Sequence, residues 1–198
     1  MKVGIVGGTG DFGQGLKTRL EARGHSVRCG SRRPRDEFVS NADACEHGDV
    51  VFLSIPAGGV EAMARELAPY LGSTIAVSVA TAVVFKDGKP MAETGPVSLA
   101  EMLALEAPGA RVVSGFHTVS SKGLAETERS LHEDVLICGD DDLAKAEVMK
   151  LAHEVIAGRA IDAGPLYVSR WLETMTVVLL NVNKRYKANT GIAITDLP

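Results

Sequence analysis

A chain of 198 residues, 45% of them hydrophobic, is long enough to bury one good core with room for a small appendage. A formal charge of -4 and an aromatic content of 5% exclude a nucleic-acid surface, which needs a basic stripe with stacking side chains, so small molecules are the expected partners. No apolar run reaches membrane-spanning length, with Met175–Val182 coming nearest, and the first strand begins too early to leave room for a signal peptide. The expected location is cytoplasmic. Cys29, Cys45 and Cys138 are odd in number and not spaced for a metal or a redox pair, which reads as three buried, reduced thiols.

The chain opens with a short apolar strand, Lys2-Val3-Gly4-Ile5-Val6, that runs straight into Gly7-Gly8-Thr9-Gly10-Asp11-Phe12-Gly13. The spacing Gly8-x-Gly10-x-x-Gly13 is the dinucleotide fingerprint of a strand, tight turn and helix. In this reading Gly8 permits the turn, Gly10 lets backbone approach a pyrophosphate, and Gly13 lets the helix pack on the strand. The helix N-terminus would face the anion with free N–H groups. Leu16 and Leu20 continue a helical pattern that Gly24 ends, and His25–Cys29 reads as the second strand. Where an NAD enzyme carries an acidic residue for the ribose 2′-hydroxyl, this chain has Gly30-Ser31-Arg32-Arg33. A hydroxyl and two guanidiniums suit a 2′-phosphate, so the expected coenzyme is NADP(H); a solvated basic turn before Pro34 is the plainer alternative.

Beyond Arg35, the segment Asp36–His47 reads as a brief helix. Val50–Leu53 is a third strand that ends in Ser54-Ile55-Pro56, at the sheet edge where such folds bind ligands. A helix through Val60 and Leu67, a strand at Ile75–Val79, and an Asp87-Gly88 excursion or hairpin follow. The next elements are a helix from Ser98, a strand at Arg111–Gly115 ending in Phe116-His117-Thr118, and a strand at Val135–Cys138. Asp140-Asp141-Asp142 reads as a helix cap in preference to a metal cluster, and the helix spans Leu143–Ile156. A short strand at Arg159–Ala163 precedes a long helix over Leu166–Lys187.

That last helix is apolar on most of its circumference, which implies burial on more than one side and a homodimer. Arg170, Thr174 and Asn181 nevertheless share one face, as either a core network or the wall of a cleft. The fold class expected from this order is α/β, a Rossmann-type doubly wound, mostly parallel sheet with a C-terminal helical extension. Residues 1–163 would form the NADP-binding domain and 164–198 would complete the acceptor site. No nucleophile elbow or metal cluster is evident, and His117 is the lone histidine at a ligand edge. Hydride transfer fits this economy, because the nicotinamide carries the reactive group.

Several stretches, taken together and in order, resemble the F420-dependent NADP oxidoreductases. They are Gly7-Gly8-Thr9-Gly10-x-x-Gly13-x-Gly15, Gly30-Ser31-Arg32-Arg33, Ile55-Pro56, His117-Thr118, Cys138-Gly139-Asp140-Asp141-Asp142, and Asp162-Ala163-Gly164-Pro165-Leu166 with Ser169-Arg170. The resemblance implies direct hydride exchange between NADP(H) and coenzyme F420, a deazaflavin. It further implies that Thr9, Gly10, Asp11 and Phe12 surround the pyrophosphate, while Ser31, Arg32 and Arg33 take the 2′-phosphate. Ile55 and Pro56, after Ser54, would back the nicotinamide, and His117 would orient the deazaflavin or stabilise charge on it. Arg170, Thr174 and Thr176 would hold the deazaflavin and its phosphate-bearing tail, although on a regular helix Thr176 points well away from Arg170. Three stretches depart from the family pattern: the short segment after Arg33, with Asp36 in place of a lysine, Ser120-Ser121, and Lys86–Gly95. The competing readings are an NADPH-dependent reductase of a flavin, quinone or imine, and a non-catalytic NADP(H)-binding sensor.

Overall fold

In a computed structural model of the chain, residues 1–197 are described. Strand β1 (Lys2–Val6) leads into helix α1 (Asp11–Glu21), and after Gly24, at φ 83°, the chain returns as β2 (Ser26–Ser31). A two-residue β3 (Val39–Ser40), α2 (Asn41–His47) and β4 (Val50–Leu53) follow. Next come α3 (Val60–Leu71), β5 (Ile75–Ser78), and the hairpin of β6 (Val83–Lys86) with β7 (Lys89–Ala92). The order closes with α4 (Leu99–Glu106), β8 (Arg111–Gly115), α5 (Ser121–Ala125), β9 (Val135–Gly139), α6 (Asp142–Val155), β10 (Ala160–Gly164) and α7 (Ser169–Tyr186).

Eight strands form one sheet in the order β10-β9-β8-β5-β4-β1-β2-β3, parallel throughout except for the antiparallel pair β8 and β9. This is the expected doubly wound arrangement. Its central strands β4 and β5 are buried along their whole length because helices cover both faces. Alternation along β4 shows the division: Val50 and Phe52 join the core under α1, α5 and α6, whereas Val51 and Leu53 join the core under α2, α3 and α4. The three cysteines are buried and unpaired, as expected, and burial pushes their thiols up, Cys29 to about 11 and Cys45 and Cys138 to about 12.

Local signals locate most helix starts. Ser40 and Asp43 form a reciprocal capping box on α2, as Ser98 and Glu101 do on α4. Asp141 caps α6 by accepting the Ala144 N–H at 2.9 Å, Asp140 accepts the Leu166 N–H at 2.9 Å, and Asp142 pairs with Lys145 at 3.1 Å. The Asp87-Gly88 turn has φ values of 50° and 70°, the type I′ geometry of a two-residue hairpin.

Two segments depart from expectation. The brief helix expected over Asp36–His47 begins only at Asn41, because the Ser40 box starts it there and Asp36 sits at φ 51° in a turn that bridges Arg35 to Phe38. Helix α5 has no counterpart in the sequence reading. Its Ser-Ser-Lys-Gly start lacks periodicity, and Arg19 of α1 holds its end by donating to the carbonyls of Gly123, Leu124, Glu126 and Arg129. After α7 the tail is strapped to the body, with buried Asp134 accepting the Ile194 N–H at 2.8 Å and the Arg159 guanidinium at 2.8 Å.

Candidate functional site

A cleft of about 1580 Å³ opens along the carboxyl edge of the sheet. The turn after β1 contributes Thr9 and Gly10, the end of β2 contributes Ser31, Arg32, Arg33 and Arg35, and the end of β4 contributes Ser54, Ile55 and Pro56. Phe116 and His117 after β8 and Thr176 of α7 form the opposite wall. No carboxylate lines the cleft among the described residues, while three guanidiniums do.

The glycines of the turn divide their work differently from the expectation. The positive φ falls at Gly7 (68°), not at Gly8, and a side chain on Gly7 would run into the Ser54 carbonyl. Gly8 is needed for a different reason: a Cβ there would sit 2.7 Å from the Cβ of Cys29 beneath it. Gly13 packs on the turn itself, where its Cβ would come within 2.7 Å of the Gly8 Cα. Gly10 has nothing within 4 Å of an added Cβ, so its backbone is open to the cleft. Gly10 is also the N-cap of α1 and carries no side chain to occupy the first N–H groups, which are left for an anion. These features fit a pyrophosphate.

Ser31 makes a tight local loop, accepting the Arg33 N–H at 3.1 Å and donating to the Arg33 carbonyl at 3.2 Å. That loop leaves Arg32 and Arg33 exposed, and neither forms an ion pair among the described residues. The donor set matches a phosphate monoester on the ribose. Buried Asn41, which sequence reasoning missed, accepts the Gly7 N–H at 3.4 Å and ties the turn to α2. No local motif marks it; only the approach of α2 to β1 brings it there.

Phe116 occupies the left-handed region at φ 67°, which a bulky residue rarely adopts. The twist turns its ring into the core edge-on to Phe12 and Phe52, with centroids 6.4 and 5.5 Å away. His117 follows, 5% exposed, with Nε2 3.3 Å from the Ser114 hydroxyl. Burial pushes its imidazole down to about 4, so it is neutral at physiological pH. Burial therefore favours the neutral imidazole over the cation at this position.

The polar face of the last helix turns elsewhere. Arg170 makes a fork to the Glu101 carboxylate of α4 at 2.7 and 2.8 Å, outside the cleft lining. Thr174 and Asn181 spend their side chains on their own helix, donating to the carbonyls of Trp171 and Val177, each at 2.8 Å. Thr176, off that line, is the residue that reaches the cleft, and its hydroxyl donates to the His117 carbonyl at 2.7 Å. Gly8 and Gly13 pack within the turn and Asp11 begins α1, none of them lining the cleft, whereas Phe12 does line it.

Residues 2–82 match the family model described as NADP oxidoreductase, coenzyme F420-dependent. The chain is 34% identical to the F420-dependent NADP reductase of Methanocaldococcus jannaschii, covering 100% of this chain and 99% of that one. It is 30% identical to the enzyme of the same name from Methanothermobacter marburgensis, over 100% of both chains. A crystal structure from Arthrobacter sp. FB24, named for an F420-dependent NADP reductase, superposes with a TM-score of 0.87 at 25% identity, covering 99% of this chain and all of that one.

Proposed function

The chain belongs to the coenzyme F420-dependent NADP oxidoreductases, which move hydride between NADP(H) and F420, and we propose that the cleft along the sheet edge is where it does so. The observation that carries this reading is the meeting, in one carboxylate-free cleft, of a bare α1 N-terminus with Ser31, Arg32 and Arg33. Thr9 and Gly10 would present backbone N–H groups to the pyrophosphate, and the guanidiniums of Arg32 and Arg33 would grip the 2′-phosphate. Ile55 and Pro56 would offer an apolar face to the nicotinamide, and Thr176 and His117 would bound the acceptor ring opposite.

The nicotinamide and the deazaflavin supply the hydride chemistry themselves. The protein's part is to hold the two rings within reach and exclude water, which requires no acid or base from the chain. A neutral His117, anchored by Ser114 and by Thr176 on its carbonyl, suits that passive role. The chain from Gly164 onward would then act as the lid of the acceptor side rather than as a separate unit.

A homodimer and a cytoplasmic location belong to the same reading. Trp171 (59% exposed), Met175 and Val178 (63% exposed) recur at helical spacing on the outer face of α7, with Tyr167 edge-on to Trp171. Sedimentation is expected to give about twice the monomer mass, and a Val178→Glu change to return the monomer. Three buried reduced thiols suit a reducing compartment.

The decisive assay mixes the purified chain with oxidised F420 and either NADPH or NADH. Bleaching of the deazaflavin band with NADPH and not with NADH is expected. Bound NADPH without bleaching would remove F420 as the acceptor and redirect the search to flavins, quinones and imines.

A further inference from the structure

The acceptor side of the cleft is anchored by a carboxylate that does not line it. Glu173 of α7 is buried and reaches α4, where its two oxygens accept the N–H groups of Leu99 and Ala100, each at 2.9 Å. Those N–H groups belong to the first turn of α4 and have no partner within their own helix. A carboxylate placed there gains from both hydrogen bonds and from the partial positive charge of the helix start. Alongside it the buried Ser169 hydroxyl donates to the Ser98 hydroxyl at 2.6 Å, so the first turns of α7 are fastened to the start of α4.

The same residue connects to the cleft in two directions. Its carbonyl accepts the Ala82 N–H at 3.2 Å, at the end of the segment Val79-Ala80-Thr81 that lines the cleft after β5. About one turn further along α7, Thr176 enters the cleft and donates to the His117 carbonyl at 2.7 Å. A shift of α7 at Glu173 therefore carries both parts of the lining with it.

We propose that Glu173 is a positioning residue for the hydride transfer: its ionised carboxylate fixes α7 on α4 and so holds Thr176 and His117 in register with the Ile55 and Pro56 side of the cleft. The inference rests on the reading of the cleft as the hydride-transfer site. An ionised carboxylate accepts both N–H groups through charge-assisted bonds, whereas a protonated one gives up acceptor strength to its own O–H and holds α4 less firmly. Burial places this exchange near neutral pH, at about 7. Of the groups that face α7, Glu101 on α4 is held down at about 2 by Arg170, while burial pushes Cys138 on β9 up to about 12 and His117 after β8 down to about 4. None of these three changes charge near neutrality. Asp140 after β9 is engaged by the Leu166 N–H, and the charged hairpin side chains Lys86, Asp87, Lys89 and Glu93 are exposed, with Lys86 and Glu93 4.0 Å apart.

The test compares the natural chain with Glu173→Gln and Leu99→Pro in the reduction of F420 by NADPH from about pH 6 to about pH 8.5, with NADPH binding followed separately by its fluorescence. Dividing the natural kcat/KM for F420 by that of the Glu173→Gln variant cancels the proton consumed by the reaction and every ionisation of the coenzymes. Glutamine stays neutral throughout, so this ratio is expected to rise about fivefold from the acid to the alkaline end, the difference between a charge-assisted and a neutral hydrogen bond, with its midpoint at about pH 7. NADPH binding is expected to match in the two proteins. Leu99→Pro keeps the carboxylate and removes one of its donors; proline suits the first helical position after Ser98, whose ψ is 168°. Its midpoint is expected to move to higher pH, because the ionised form has lost a partner. If Glu173→Gln fails to fold, the natural ratio to Leu99→Pro carries the same test and should peak between the two midpoints. A ratio that is flat with pH, or a weakened NADPH binding that accompanies the loss, overturns the assignment, since a merely structural role lowers the active fraction alike at every pH. An unmoved midpoint in Leu99→Pro overturns it as well. No turnover of F420 by the natural chain at any pH, with NADPH bound, overturns the reading of the cleft and this inference with it.

Discussion

Arg32→Ala is expected to raise the KM for NADPH about 100-fold while changing the KM for NADH by no more than about twofold. The guanidinium stands at the carboxyl end of β2 with no carboxylate to neutralise it, so its interaction energy is available to a 2′-phosphate. A charge-assisted bond of about 1.5–3 kcal/mol translates to roughly 10- to 150-fold. NADH lacks the phosphate and should scarcely register the change. Ser31→Asp goes further, because a carboxylate at this position repels the phosphate and can accept the ribose 2′-hydroxyl of NAD instead. Steady-state kinetics with both nucleotides measures the ratio of kcat/KM values. A ratio that stays put in both variants would mean that the basic turn is only a solvated surface.

Glu173→Ala is expected to cost about 4 kcal/mol in a urea melt, and the pH dependence of stability should expose why. Glu173 is 1% exposed and accepts the N–H groups of Leu99 and Ala100, both at 2.9 Å, so its removal orphans two donors at the start of α4. Burial, helped by the nearby Glu101 charge, pushes its carboxyl up to about 7 from 4.5, although the N–H groups of Leu99 and Ala100 pull the other way. The folded chain then binds this proton more tightly than the unfolded chain, and its contribution falls by about 3 kcal/mol as pH rises from 4.5 to about 7.

His117 has the opposite sign. Its folded value of about 4 lies below the ordinary 6.5, so its contribution is full above 6.5 and falls by about 3 kcal/mol as pH drops to about 4. The two slopes nearly cancel between pH 4.5 and 6.5, where stability should be almost flat. Glu173→Gln should unmask the histidine slope, with stability rising with pH, and His117→Asn should unmask the glutamate slope, with stability falling with pH. Parallel profiles for both variants would sink the assignment. At lower pH the loss should steepen, since Arg170 beside Glu101 and Arg159 beside Asp134 hold both carboxyls down at about 2, and that stabilisation disappears as they protonate.

Glu173 also links stability to the site. It lies three residues before Thr176 on α7, and its own carbonyl accepts the Ala82 N–H at 3.2 Å, at the foot of the β6–β7 hairpin. Loosening it should shift the wall that Thr176 and His117 form together.

Much of this was legible from local sequence because the physics behind it is local. A five-residue apolar strand feeding a glycine turn specifies β1, the turn and α1, since only short-range sterics and free helix N–H groups are involved. Ser31, Arg32 and Arg33 could be read as the proposed phosphate site because they are contiguous in the sequence and line the cleft together. Capping residues such as Ser98 and Asp141 act within three or four positions, so the helices they begin can be read directly.

Which residues meet across the cleft depended on contacts that no local pattern encodes. Arg170 and Thr176 are six residues apart on a regular helix and cannot serve one pocket. The placement of α7 against α4 made Glu101 the partner of Arg170 and gave Thr176 to the cleft. The same is true of Asn41, brought under Gly7 by α2, and of α5, a helix held in place by Arg19 more than a hundred residues away. The amino-acid sequence by itself determined the half of the cleft proposed here for the nucleotide, where backbone geometry and local charge suffice. The acceptor half was decided only by the tertiary structure, because it depends on how a long helix is rotated and anchored against a distant part of the chain.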